Sequence, residues 1–331
     1  MASAVPRKNI GAVILSEPGP HAFSPARGGE SKDLGFFASG PKRQTGQRTP
    51  MALLSRVRGV SINDVVDSYW IFLARNHYDA HLDRFRRRLS SDAKAAAEAE
   101  AVVFSFLWSA KLSPDIFEDP SKGGPDFRCR PCKTEGFLVE VTSLESGRVA
   151  RRSGLPETIT SSGGGAFGLI TPLLSGKATA KAAQFGNAPL PRVLAIACSH
   201  AFSGILMDRL AAENLLVSDY MISVPFREPS KPAIQVTDLR RSVFFRWDKF
   251  TGKIMPCRQS ISALLLVAIS GIQADVVGIL HPEPSIAFAP ALFPQVPYLR
   301  VRNWPVVDGR IGLEWSIGGD GSATFFHERI H

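Results

Sequence analysis

The sequence predicts a mixed α/β protein: a central sheet flanked by helices, with an N-terminal helical lead-in and a strand-rich C-terminal extension. Three observations predict it. Of 331 residues, 44% are hydrophobic and 21% are charged, the balance of a globular chain with a substantial core. Stretches with helical periodicity alternate with short β-branched runs, the order expected of a sheet covered by helices. No repeat appears, and the longest apolar stretch, Ile261 to Ile272, falls short of the roughly 20 residues that span a bilayer and reads as a core strand.

Residues 1–50 are rich in Gly, Pro, Ser and Arg with little apolar periodicity. They are expected to form a disordered basic tail, or to lie upstream of a true start at Met51. Ile10 to Leu15 is too short for a secretory apolar segment, and no good cleavage signature follows. Residues 51–95 read as the helical lead-in, with Val65, Tyr69 and Phe72 on one stripe. Arg84, Arg86, Arg87 and Arg88 crowd the end of the stretch from Tyr78 to Leu89, where a solvated face is favoured over phosphate contact.

Residues 96–220 carry the core. The alanine-rich run Ala93 to Ala101 continues through Val102, Val103, Phe104, Leu107 and Trp108 as a strong helix. Gly123, Gly124 and Pro125 break the chain, and Phe137 to Leu144 is a strand. A helix over Leu173 to Phe185, a strand over Arg192 to Ser199 and a helix over Phe202 to Leu216 follow. Residues 221–331 extend the same domain, with strands at Val243 to Trp247, Ala263 to Ile269, Val276 to Leu280 and Leu313 to Ile317. Prolines 282, 284, 290, 294 and 297 demand extended connections between them.

A formal charge of +9 raises the local concentration of polyanions, of which nucleic acid is the commonest. Four cysteines are too few for a disulfide scaffold in a chain of this size, so a reducing cytoplasm is the expected location. The spacing Cys129-Arg-Pro-Cys132 suits two zinc ligands, but no second pair follows, and a turn holding two thiols is the plainer reading. Gly163-Gly164-Gly165 lacks the Gly-Lys-Ser/Thr ending of a phosphate-cradling loop and reads as a flexible loop.

Chemistry concentrates in Gly123-Gly124-Pro125-Asp126-Phe127 and Phe137-Leu138-Val139-Glu140-Val141-Thr142. Period-two alternation puts Leu138, Glu140, Thr142 and Leu144 on one strand face. An acid in so apolar a strand is costly without a partner. A divalent cation is one partner, since carboxylate oxygens ligate magnesium while leaving room for water and a phosphate oxygen. The plainer alternative has Asp126 capping a turn and Glu140 paired with an arginine.

The order of helix acid, Pro-Asp, hairpin, Glu-x-Thr and basic helix, from about Glu98 to Ser199, resembles the PD-(D/E)xK nuclease superfamily. The resemblance implies a restriction endonuclease-like mixed central sheet and a magnesium-dependent nuclease acting on DNA or RNA. Its partner is then nucleic acid, with DNA placed ahead of RNA and a homodimer left open; no membrane is involved. The superfamily's ligand roles fall on Asp126, Glu140 and a helix acid. Glu100 is chosen over Glu98 because it shares the stripe of Val103, Phe104, Leu107 and Trp108.

Thr142 departs from the pattern, standing where the superfamily carries lysine and unable to supply its charge. Lys177 and Lys181, at i and i+4 with Gln184 at i+7, share a face of the next helix, and within the superfamily the lysine is known to migrate there. The catalytic candidates are therefore Asp126, Glu140, Glu100, Lys181, Lys177, Thr142 and Gln184. A nuclease fold that has lost turnover but still binds nucleic acid is the first alternative; a structural or partner-binding protein is the second. His200 and His281 end strands, where functional groups commonly sit, and each is more often structural.

Overall fold

The computed structural model describes residues 13–14, 61–119, 123–131, 136–157, 170–185, 189–218, 220–223, 234–237, 239–270, 273–307, 310–317 and 325–327. Most of the expected N-terminal tail, the Met51 start, the glycine triplet and Cys132 lie outside the described residues.

Strand β1 (Val13–Ile14) precedes three helices, α1 (Ile62–Arg75), α2 (Asp79–Leu89) and α3 (Lys94–Ser109). Helix α1 starts at a capping box: the Ser61 hydroxyl accepts the Asp64 N–H at 3.2 Å and the Asp64 carboxylate accepts the Ser61 N–H at 2.8 Å. It ends before His77, whose φ of 59° is left-handed and incompatible with a continuing helix. Next come β2 (Pro114–Ile116), β3 (Phe127–Cys129), β4 (Phe137–Leu144), α4 (Ser146–Ser153), α5 (Thr171–Gln184) and β5 (Arg192–Cys198).

The expected helix from Phe202 to Leu216 is two helices, α6 (Ser203–Leu206) and α7 (Arg209–Val217). The break falls at Asp208, whose side chain accepts the Ala211 N–H at 2.9 Å and so starts a new helix. Strands β6 (Tyr220–Ser223) and β7 (Ile234–Thr237) join β1 in a three-stranded sheet. The strand expected at Val243 begins at β8 (Phe245–Asp248); among the described residues it pairs only with β9 (Lys253–Pro256) and stays outside the main sheet. The chain then runs through β10 (Ala263–Ser270), β11 (Gln273–Leu280), β12 (Pro297–Val301), β13 (Leu313–Ile317) and β14 (Phe325–His327).

Among the described residues, nine strands form one mixed sheet in the order β14-β13-β12-β11-β10-β5-β4-β3-β2. Its centre, β4-β5-β10, is parallel, and β3 and β2 add antiparallel at one side. All seven residues of β5 are buried, as a parallel strand covered on both faces requires. One face packs Phe137, Val139, Ala195 and Leu265 against Tyr69, Phe85 and Phe104 of α1 to α3. The other packs Leu144, Leu194, Ile196 and Leu266 against Val149 of α4, Leu174 and Ala178 of α5, and Leu215 of α7. Among the described residues, no helix is long and apolar enough to cross a membrane.

Strand β10 comes from the C-terminal third yet lies beside β5 in the middle of the sheet, so its side chains are core. Replacing the buried Leu266 by Ala should cost about 2–5 kcal/mol in urea unfolding. Replacing Phe250, which is 99% exposed, should change stability by less than about 0.5 kcal/mol.

Candidate active site

Strand β3 pairs with β4 only from Phe127 opposite Val139 to Cys129 opposite Phe137. Among the described residues, the second half of β4 therefore has β5 on one side and no strand on the other. Extending the register by one residue sets Asp126 beside Glu140. The Val141 N–H, which a longer β3 would engage through its backbone, instead donates to Asp126 Oδ2 at 2.6 Å. Gly123 and Gly124, with φ of 74° and 128°, make the turn that delivers Asp126 to this point; the Gly123 N–H donates to the Asp119 carbonyl at 2.8 Å.

A cavity of about 670 Å³ opens at this unpaired edge. It is lined by all seven candidates from the sequence: Glu100, Asp126, Glu140, Thr142, Lys177, Lys181 and Gln184. Helix α3 brings Glu100 from one face of the sheet and α5 brings both lysines from the other. Glu98 is not among the lining residues; it pairs with Lys94 one turn away at 3.6 Å. Neither His200 nor His281 lines the cavity. His281 Nε2 lies 2.9 Å from the Cys257 carbonyl, and burial pushes the ring down to about 4, so it is neutral.

Each buried acid has a partner. Lys181 Nζ donates to Glu140 Oε1, spanning from α5 to β4. The alternative of an arginine partner for Glu140 is thereby replaced by a lysine on the next helix. Glu100 accepts the Tyr69 hydroxyl at 2.8 Å and Arg88 at 2.6 Å. Arg84 is bonded to Glu118, another lining acid. Two of the four clustered arginines thus face inward, correcting the preference for a solvated face. The other two lie outward, Arg86 over the Trp70 ring at 4.3 Å.

The cavity is acidic although the chain is basic. Asp92, Glu100, Glu118, Asp126, Glu140 and Glu145 line it, six carboxylates against the three cations Arg88, Lys177 and Lys181. Burial, then the charges of Glu140 and Glu100, holds the Asp126 carboxyl well above its ordinary value, with the Val141 N–H pulling the other way. Burial also raises Glu140, and Lys181 opposes it. Lys177 is lowered by burial and then by the like charge of Arg148.

The donor chemistry fits a hard divalent cation, because neighbouring carboxylates short of positive charge are what such an ion neutralises. As the side chains stand, no three His, Cys, Asp or Glu among the described residues are arranged to grip one ion together. Glu140 is turned to Lys181, and Glu100 to Tyr69 and Arg88.

Sequence reasoning missed Glu118, Asp92, Glu145 and Tyr69, and left Arg88 in solvent. Glu118 reaches the site through the pairing of short β2 with β3, and Arg88 through the turn between α2 and α3; neither has a periodic signature.

Comparison with protein-family models, curated proteins and solved structures finds no match. What fold and site together define is a mixed α/β protein whose sheet edge opens into an acidic cavity bridged by lysine.

The raised Asp126 carboxyl has a consequence for stability. The folded state holds its proton at a pH where the unfolded chain has lost it, so stability falls as pH rises from the ordinary Asp value toward the folded one. Asp126→Asn keeps an oxygen for the Val141 N–H and removes that cost. The metal-free variant should melt above wild type at pH 7, by roughly 2–4 °C per kcal/mol relieved, and the gain should vanish below about pH 4, where both states are protonated. Differential scanning calorimetry across that range reads both effects.

Proposed function

We propose that the cavity is the active site of a metal-dependent nuclease that hydrolyses phosphodiester bonds, built on a restriction endonuclease-like core. The observation that carries the reading is Lys181 reaching from α5 to Glu140, beside Asp126. It puts an ammonium where Thr142, on the same face of β4, cannot supply one.

Asp126 and Glu140 would hold magnesium, with Glu100 as the third carboxylate. The ion would supply an activated water and neutralise charge developing at phosphorus. Lys181 would donate to a non-bridging phosphate oxygen or to the attacking water if Glu140 were engaged by such an ion. The bond formed is water oxygen to phosphorus; the bond broken is phosphorus to the leaving sugar oxygen, which takes up a proton. Tyr69 and Arg88 fix the orientation of Glu100. Gln184 offers an amide at the cavity wall, and Lys177, lowered by burial and its crowded cations, adds charge at the same wall. The partner is nucleic acid, DNA ahead of RNA.

The replacement of the motif lysine by Thr142 favours a second reading, a nuclease fold that binds nucleic acid without turnover.

Magnesium-dependent cleavage of plasmid and single-stranded DNA and of RNA separates the two. Asp126→Ala, Glu140→Ala and Lys181→Ala should each lose at least about 10²-fold in rate. Adding Thr142→Lys to Lys181→Ala should restore part of the loss by returning an ammonium to the strand. Salt-sensitive binding without cleavage would favour the second reading, and cleavage unaffected by the substitutions would place the site elsewhere.

A further inference from the structure

Six lining carboxylates against three cations make the cavity itself a poor anchor for a polyanion, so a strand entering it needs positive charge outside it as well. Helix α4 begins immediately after Glu145, which lines the cavity, and buries only Val149. Arg148, Arg151 and Arg152 lie three and four residues apart on one face, and all three are exposed. Among the described residues, ion pairs engage Arg84, Arg88, Lys94, Lys181 and Arg300 but none of the α4 arginines. Glu157 is an acid beside the helix: its Oε1 lies 3.2 Å, and Arg151 Nη1 3.7 Å, from where a side chain on Gly147 would begin.

A second observation ties this face to the site. Lys177 lines the cavity, and after burial Arg148 is what most depresses its affinity for a proton. The first arginine of α4 and the cavity's Lys177 therefore lie close enough to act on each other, with Glu145 acting on Lys177 the other way. On the other side the situation differs. Helix α2 lies on the opposite face of the sheet, and its inward arginines, Arg84 and Arg88, are already bonded to Glu118 and Glu100. Neither of these inward arginines of α2 is free of an acid partner, whereas no ion pair among the described residues engages Arg148, Arg151 or Arg152.

Resting on the reading of the cavity as a phosphodiester site, we propose that α4 is the phosphate track of the substrate: Arg148, Arg151 and Arg152 bind successive backbone phosphates of the nucleic-acid strand on one side of the scissile bond, and Lys177 links that track to the cavity. Such interactions position a strand without reading its bases, so the substrate class is nucleic acid recognised by its backbone. The rigid fork of arginine suits phosphate oxygens, and its position on a helix fixes the direction in which the strand leaves the site.

The test is binding of a fluorescent DNA oligonucleotide, single-stranded and duplex, to the full chain in EDTA over a range of salt, with no cleavage involved. Arg148→Ala, Arg151→Ala and Arg152→Ala combined should lower the slope of log affinity against log salt by roughly 2 to 3, about 0.7 to 0.9 for each phosphate no longer neutralised. The triple Arg→Lys variant should keep most of the slope, and Arg87→Ala, exposed on α2 and outside the cavity lining, should keep all of it. In magnesium, the triple alanine variant should raise KM and leave kcat at saturation near wild type. An unchanged slope in the triple alanine variant overturns the track even if wild type cleaves DNA. Loss of binding to phosphatidylserine vesicles with unchanged oligonucleotide affinity overturns it too, assigning the arginines to a lipid surface. Arginine-dependent binding by a wild type that never cleaves would sink the hydrolytic reading and support the track.

Discussion

Everything at the candidate site depends on one substitution in the hydrogen-bond ladder of the sheet. Strand β3 stops contributing backbone at Phe127, and the next donor on β4, the Val141 N–H, goes to the side chain of Asp126. A side-chain carboxylate thereby completes the strand edge while remaining at a cavity mouth, where a backbone carbonyl would have closed it. The same gap leaves the stretch from Glu140 to Ser143 lining open space in a strand whose first three residues and last residue are core. Because the opening lies at the rim of the sheet, helices from both faces reach it: α3 with Glu100 and α5 with Lys177 and Lys181.

That arrangement is costly in free energy, and the ion pairs show how it is tolerated. A partly buried carboxylate is stable only if cations or donors replace its water. Lys181 does this for Glu140; Arg88 and Tyr69 do it for Glu100. Asp126 has one backbone donor and three carboxylates acting on it, Glu140, Glu100 and Glu118, and its raised affinity for a proton is the expected response. Six lining carboxylates against three cations, in a chain of net charge +9, is a local inversion of sign that ordinary packing does not require. A divalent ion would relieve it, and would free Lys181 in the same step.

The core of this arrangement was legible in the sequence because it is local. Period-two alternation placed Glu140 and Thr142 on one face, glycines marked the turn before Asp126, and the apolar stripe of α3 separated Glu100 from Glu98. The i, i+4 spacing put Lys177 and Lys181 together before any fold was known. The strand from Phe137 to Leu144 has the expected ends. What could not be read was set by pairing between distant segments. Three-residue strands such as β2 and β3 have too few positions for a period, so Glu118 carried no signal. The break at Asp208 rests on a cap inside an apolar run, and β8 has strand composition but finds only β9 as a partner. Arg88 looked solvated because composition cannot say which way an arginine on an exposed helix turns.

The most direct measurement is the location of a metal in crystals of the full chain grown with manganese, by anomalous scattering. A metal-dependent active site predicts a peak between the carboxylates of Asp126 and Glu140, with Lys181 Nζ moved off Glu140. Crystals soaked to saturation in which the Lys181–Glu140 pair is intact and manganese lies only elsewhere would contradict it.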